Sequence, residues 1–317
     1  PPPPQPPVHV LSSVKGLAKA LRKRTRGKVP LVFHTCVDAD GRWLRADALE
    51  DEVKQSLRSA EIVLSEPTLI ADIHQHGLLT NTRWVQSTWA GADVIIRAIG
   101  DPPSFALTRL SGVFGSAMAE YVVGYVIARE RGFDRMTSDQ HNRYWRGEDL
   151  AIGYRLLSEL HVMVVGLGDI GSHVAAACKA MGMRVTGVGR RKMTLQDARR
   201  TRANVDAYQS FSELGSGAFS TCDYVVNVMP STPFTRGLLN DPSLWARPGT
   251  AGGTPGTCTP PLMEGTPLEG TPPALINVGR GDAIDEGFLL QALENGHIGG
   301  AVLDVFQTEP LPQDSWL

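Results

Sequence analysis

The sequence predicts an α/β protein built of two doubly wound parallel-sheet domains. Three observations carry this expectation. At 317 residues, 42% of them hydrophobic, the chain exceeds what a single core usually organises, so two compact units are expected. In the first part of the chain short apolar runs alternate with helical stripes, and that alternation builds a parallel sheet. A second alternation starts at His161, where Val162-Met163-Val164-Val165 has the unbroken apolar character of a strand covered on both faces.

Taken in order, residues 1–7 are a proline-rich tail that cannot donate enough backbone hydrogen bonds to fold and should stay extended. An apolar run at 8–11 is followed by Leu17, Ala18, Ala20 and Leu21, a helical stripe beside Lys15, Lys19, Arg22, Lys23 and Arg24. That basic segment is compatible with a targeting helix. The strict alternation after it (strand 29–37, helix 48–59, strand 61–64) favours a surface helix covering a sheet. Trp84-Val85-Gln86-Ser87 reads as a further strand entering the loop Ala90-Gly91-Ala92-Asp93. A long helix is expected at 116–131, with Ala117, Tyr121, Tyr125 and Ile127 on its apolar face, able to bridge two domains. The first domain would span 8–111 and the second 112–317. Within the second, residues 248–273 are dominated by Gly, Pro and Thr, where α/β units usually have short connections. A disordered surface insertion and a sequence artefact are both compatible with that stretch.

A formal charge of -2 gives no electrostatic footprint for nucleic acid or an anionic membrane, which leaves small molecules as the expected partners. Cys36, Cys178, Cys222 and Cys258 are scattered, with no C-x-x-C pair and no ligand-spaced cluster, so a reducing compartment and no metal are expected. No run approaches the roughly 18 apolar residues of a membrane span, and no charged-apolar-small leader opens the chain. A cytoplasmic protein is expected, with organelle import left open. The chain starts at Pro1 without methionine and stops at Leu317 without a turn or cap, so either end is compatible with a fragment boundary.

Gly166-Leu167-Gly168-Asp169-Ile170-Gly171 satisfies G-x-G-x-x-G between an apolar strand and an expected helix at 172–181, the context of a Rossmann dinucleotide site. Gly166 would permit the tight turn, Gly168 would let a pyrophosphate approach the backbone, and Gly171 would let helix and strand pack closely. The helix N-terminus would offer free N–H groups and partial positive charge to the phosphates. The next strand, 184–188, runs into Gly189-Arg190-Arg191, where a NAD site would present an acid to the ribose. Arg190 and Arg191 can instead pair with a 2′-phosphate, so NADPH is expected over NADH.

Ala274 to Gly281 reads as a buried strand opening into Arg280 flanked by Gly279 and Gly281, at the sheet edge where ligands bind. A second strand, 300–306, presents Asp304, with Glu309-Pro310 beyond. The glycine loop, N-V-G-R-G and L-D-V-F-x-x-E-P resemble the D-isomer-specific 2-hydroxyacid dehydrogenases. So do Trp89 to Asp93, Ala119-Glu120-Tyr121, Gln140 with Trp145, and Met229-Pro230-Ser231-Thr232-Pro233. The nearest resemblance is to glyoxylate and hydroxypyruvate reductases, which commonly use NADPH.

That resemblance implies a flavodoxin-like substrate domain, a Rossmann cofactor domain and a cleft between them. It implies that Arg280 binds the substrate carboxylate and polarises the 2-oxo group, and that backbone N–H groups of Ala90, Gly91 and Ala92 hold the carboxylate from the other domain. Asp304 would bond the nicotinamide carboxamide, and Met229, Pro230, Val278 and Gly279 would line the cofactor. Glu309 would pair with a histidine, raising its pKa so that it protonates the new alkoxide; in the family that histidine follows the glutamate further on than residue 317. His297, after the helix-ending Gly296, is expected to be a turn residue rather than a substitute. A homodimer is implied too. Two other readings stay open: a non-catalytic dinucleotide-binding regulator, against which Arg280, Asp304 and Glu309 argue, and an inactive fragment lacking the acid/base histidine.

Overall fold

The computed structural model describes residues 5–100, 103–145, 147, 154–200, 204–246 and 271–317. The chain divides into two units, Pro1–Ser111 and Gly112–Leu317. The first four residues of the proline tail lie outside the described residues, as does all of the 248–273 segment except 271–273.

In the first unit, strands β1 (Val8–Leu11), β2 (Leu31–His34), β3 (Ile62–Ser65), β4 (Trp84–Ser87) and β5 (Ala106–Thr108) form one sheet in the order β2-β1-β3-β4-β5. Every pairing in it is parallel, the flavodoxin-like winding. Helices α1 (Leu17–Thr25), α2 (Asp51–Ser59), α3 (Pro67–Gln75) and α4 (Asp93–Ile99) connect the strands. Leu11, Leu57, Val63, Ile70, Ile73, Val85 and Ile95 are fully or nearly fully buried and make one core. Helix α1 buries no residue, as a surface helix should, and Arg22 lies 4.6 Å over the Phe33 ring.

Two boundaries differ from the pattern. The strand expected at 29–37 stops at His34, because the Asp38 carboxylate accepts the amides of Asp40 and Arg42 and turns the chain, leaving a lone bridge between Val37 and Trp43. The helix expected from 48 begins at Asp51, because a separate 3-10 turn, Ala46–Ala48, is tied down by the Ala46 amide donating to Asp72 Oδ2 at 2.6 Å.

In the second unit, α5 (Gly115–Arg131) and α6 (Phe133–His141) precede β6 (His161–Val165), α7 (Asp169–Ala180), β7 (Arg184–Gly189), α8 (Leu195–Arg200) and β8 (Ala207–Ser210). After these come β9 (Tyr224–Asn227), α9 (Pro242–Trp245), β10 (Ala274–Asn277), α10 (Glu286–Glu294) and β11 (Gly300–Leu303). The sheet order is β11-β10-β9-β6-β7-β8, again all parallel, so the winding reverses between β6 and β9. This is the Rossmann order, and ligands bind outside the carboxyl ends of the strands at such a reversal.

All five residues of β6 are buried. Val162 and Val164 point into a core shared with α5 and α7, while Met163 and Val165 point into one with Trp245, Leu289 and Ala292. Burial of each such side chain stabilises by roughly 1.5–3 kcal/mol, which is why the strand carries no polar alternation. The apolar face of α5 is not the one expected: Ala119, Val122, Val123 and Val126 are buried, whereas Ala117 and Tyr125 are exposed and Tyr121 and Ile127 half-buried. Positions 119, 122, 123, 126 and 130 share one 3.6-residue stripe, and the last of them, Glu130, is a fully buried charge. No helix among the described residues is long and apolar enough to cross a membrane. Cys36, Cys178 and Cys222 are buried free thiols.

Candidate active site

The glycine turn leaves the end of β6. Gly166 has φ +107, a conformation side-chain-bearing residues rarely adopt, and its amide donates to Val188 O at 2.8 Å. A Cβ on Gly166 would sit 3.1 Å from the Val228 carbonyl, and a Cβ on Gly171 would overlap Gly166 O. These two glycines are therefore required by the protein's own packing. Gly168 is different: a Cβ there would meet nothing within 4 Å, and the residue is exposed. Helix α7 starts at Asp169 with Gly168 as its cap, three residues before the expected 172, so Asp169, Ile170 and Gly171 form its first turn. The leading amides of a helix have no intrahelical partner. Open space at Gly168, beside these amides and the positive end of the helix dipole, fits a pyrophosphate. Leu167 packs under the turn, where a Cβ on Gly187 would overlap it.

Strand β7 ends at Gly189, and Arg190 and Arg191 are exposed beyond it. Tyr208, on the neighbouring β8, donates its hydroxyl to Arg191 O at 2.7 Å. A Cβ on Gly189 would lie 2.5 Å from that hydroxyl oxygen. Tyr208 thus occupies the space a side chain at position 189 would enter.

The two loops after β9 and β10 touch. Met229 and Val278 are buried, Pro230 is exposed, and a Cβ on Gly279 would lie 2.7 Å from Met229 O. Since Val228 also abuts Gly166, the arginine loop, the Met229 loop and the glycine turn are contiguous at one sheet edge. Arg280 is half-buried, extended (φ −143, ψ 145), and its Nη1 donates to Gly279 O at 2.7 Å. Gly281 lies so close to the Phe306 backbone that a Cβ would overlap it.

The strands expected at 274–281 and 300–306 end at Asn277 and Leu303. After one more backbone bond each, Val278 N to Asn227 O and Asp304 N to Asn277 O, side chains take over from the ladder. The Asn277 carboxamide takes the Gly279 amide at 3.2 Å, and Glu309 Oε1 takes the Phe306 amide at 3.0 Å. Asp304 follows β11, exposed, with its amide on Asn277 O at 3.0 Å. Partial desolvation and the nearby Glu309 charge push its carboxyl pKa up. Tyr121 of α5 faces the same carboxylate. Desolvation, a hydrogen bond with Tyr125 and the charge of Asp304 push its pKa up to about 12.

Ala90, Gly91 and Ala92 lie in the first unit, half-buried between β4 and α4, with Ala90 O accepting Arg109 Nη1 at 3.0 Å. His297 is exposed and its amide caps α10 through Ala292 O at 2.8 Å, the turn residue expected. His161 is a buried packing histidine between Thr221 O and Thr186 Oγ1, each at 2.8 Å. Sequence reasoning missed Asn227, Asn277 and Tyr208. The first two had a legible signal, since Tyr-Val-Val-Asn and Ala-Leu-Ile-Asn are both buried strands that end on the same polar residue.

Comparison with known proteins agrees with this arrangement. Residues 123–252 and 265–317, more than half of the chain, match the model of the NAD-binding domain of D-isomer specific 2-hydroxyacid dehydrogenases. A crystal structure of a D-isomer specific 2-hydroxyacid dehydrogenase family protein from Aeromonas salmonicida is 28% identical, covering 99% of this chain and 86% of that one with a TM-score of 0.73. One from Xanthobacter autotrophicus Py2, solved with NADPH and MES, is 25% identical over 99% and 85% with a TM-score of 0.68. An NADPH-dependent glyoxylate/hydroxypyruvate reductase from Sinorhizobium meliloti shares the fold at 21% identity, over 98% and 84%, with a TM-score of 0.65. With the glycine turn, the reversed winding and the family match in agreement, the chain belongs to the D-isomer-specific 2-hydroxyacid dehydrogenases, NAD(P)-dependent oxidoreductases.

Proposed function

We propose that the protein reduces a small 2-oxo acid of the glyoxylate or hydroxypyruvate type to the D-2-hydroxy acid, with NADPH as the reductant. The observation that carries this reading is Arg280, held between two glycines at the carboxyl edge of β10, on a loop that touches the Met229 loop beside the glycine turn. A planar guanidinium that is always charged suits a carboxylate and an adjacent carbonyl oxygen together. The bound nicotinamide supplies a hydride to the carbonyl carbon.

The chain's own residues bind and orient. The α7 amides with Gly166, Leu167, Gly168, Asp169, Ile170 and Gly171 hold the pyrophosphate, and Arg190 and Arg191 take the 2′-phosphate. Met229, Pro230, Val278 and Gly279 line the ring, and Asp304 accepts from its carboxamide. The first unit is the substrate domain, and in it the backbone N–H groups of Ala90, Gly91 and Ala92 suit a carboxylate. Glu309 offers the carboxylate that would orient an acid/base histidine. The glyoxylate/hydroxypyruvate assignment is supported by the shared fold of the S. meliloti reductase, and NADPH by the Xanthobacter protein and by Gly189-Arg190-Arg191. A homodimer is supported by exposed Phe133, Tyr144 and Trp145 following α5, with Trp145 89% exposed.

The test is loss of nicotinamide absorbance with glyoxylate, hydroxypyruvate, pyruvate and longer 2-oxo acids, each with NADPH and NADH. Turnover fastest with the two small acids and NADPH is expected. Absence of turnover with every 2-oxo acid overturns the assignment, and sedimentation as a monomer overturns the dimer.

A further inference from the structure

We infer that Asn227 and Asn277 form a buried clamp that positions Arg280 and couples it to the loop carrying Met229; this rests on the reading of Arg280 as the carboxylate anchor. The two residues stand opposite each other on adjacent parallel strands, at 0% and 1% exposure, after the buried pairs Val225-Val226 and Leu275-Ile276. Buried carboxamides are costly unless their hydrogen bonds are made. Here they are made across the strand pair and into both following loops. Asn227 Nδ2 donates to Asn277 Oδ1 at 2.8 Å, and Asn227 Oδ1 accepts the Met229 amide at 3.1 Å. Asn277 Oδ1 also accepts the Gly279 amide at 3.2 Å, and Asn277 Nδ2 donates to Arg280 O at 3.1 Å. The Met229 and Gly279 amides are donors only, which fixes the oxygen end of each carboxamide.

An apolar residue of similar size at either position would fill the core yet leave these loops unpinned. With the clamp, the Gly279 amide and the Arg280 carbonyl, one on each side of the arginine Cα, are fixed from the sheet. The guanidinium then bonds the carbonyl of Gly279, within the pinned segment. Asn277 is a positioning residue: it acts through Arg280.

The test reads carboxylate anchoring without chemistry, as the dissociation constant of oxalate from the protein saturated with NADPH, followed by fluorescence. Asn277→Ala and the isosteric Asn277→Asp, which turns the donor facing Arg280 O into an acceptor, should each weaken oxalate on the order of 10-fold or more, because ångström-scale misplacement of a binding group is that costly. Oxalate affinity is read at NADPH concentrations that saturate each variant, because the clamp also pins the Met229 and Gly279 amides. In an Arg280→Ala background neither substitution should weaken oxalate further. Should Asn277→Ala not fold, Asn277→Asp carries the same comparison. A merely structural role predicts a lower melting temperature with oxalate affinity of the folded protein within about twofold of wild type; that result, or equal weakening in the Arg280→Ala background, overturns the clamp. If Arg280→Ala alone leaves oxalate binding unchanged, the carboxylate reading fails and the clamp's role falls with it.

Discussion

The Tyr208 hydroxyl donates to the carbonyl of Arg191 at 2.7 Å, directly over Gly189. This one bond takes up the space a side chain at position 189 would enter, and it ties down the backbone from which Arg190 and Arg191 project. Replacing both arginines by serine removes the charge-assisted contacts to a 2′-phosphate, which for two exposed, solvent-screened side chains together come to about 1.5–3 kcal/mol. The ratio of kcat/KM for NADPH to that for NADH should fall by about 10- to 100-fold, almost wholly through NADPH. An unchanged ratio refutes the assignment of these arginines.

The glycine turn separates folding from binding. Gly171→Ala forces a Cβ into Gly166 O, a backbone overlap that no rotamer relieves, and should cost about 2–4 kcal/mol in urea unfolding. Gly168→Ala meets nothing within 4 Å, so its melting temperature should stay near wild type. Its NADPH dissociation constant should nonetheless rise by about 10-fold, because the added methyl stands where the pyrophosphate must approach. Equal effects of the two substitutions on binding would show that the open face at Gly168 is not the phosphate site.

Beneath β9, Arg155 compensates a charge the core cannot otherwise hold. Glu130 is fully buried; it receives Arg155 Nη2 at 2.8 Å, Arg155 Nε at 3.1 Å and the Tyr224 hydroxyl at 2.6 Å, and Arg155 also pairs with Asp223. Removing one member of a buried pair strands the other, so Arg155→Met should destabilise by about 3–5 kcal/mol. Adding Glu130→Gln should recover part of that loss. Denaturant titrations of the single and double variants check this, and no recovery would mean that the methionine is harmful for reasons of packing rather than charge.

Much of this architecture was legible because local pattern and global fold agree. Trp84–Ser87 and His161–Val165 are the strands expected from their composition, and the glycine spacing marks the turn between β6 and α7, where the structure shows the winding to reverse. The failures share a physical cause. Strand ends at Asn277 and Leu303 are set by side chains, Asn277 and Glu309, that capture backbone amides, and ladder periodicity carries no trace of such capture. Tyr125 falls on a helical stripe with Tyr121 yet is exposed, whereas Glu130 lies on the buried stripe and finds its partner in Arg155. The Asn227–Asn277 contact spans 50 positions and exists only once register places the two strands side by side.

His9 Nδ1 lies 3.0 Å from His34 Nε2 and 3.2 Å from Ser56 Oγ, with the two rings stacked at 5.3 Å. An N–H···N bond between imidazoles needs a neutral ring as acceptor, so the pair cannot hold both rings charged; burial pushes the pKa of His9 down, and burial and then the His9 charge do the same for His34. In the second unit, burial first and the Arg184 charge further on lower that of His161. All three folded values lie below the ordinary value of 6.5, so the unfolded chain binds protons that the native state refuses. Their contribution is complete above about pH 6.5 and is lost as pH falls below it toward the depressed folded values, at up to roughly 1.4 kcal/mol per pH unit for each group. Urea unfolding between about pH 8 and pH 5 should therefore show stability that is flat at the alkaline end and declines at the acid end. His9→Gln with His34→Gln should shallow that decline. A slope that is unchanged in this double variant would assign the acid loss to other groups.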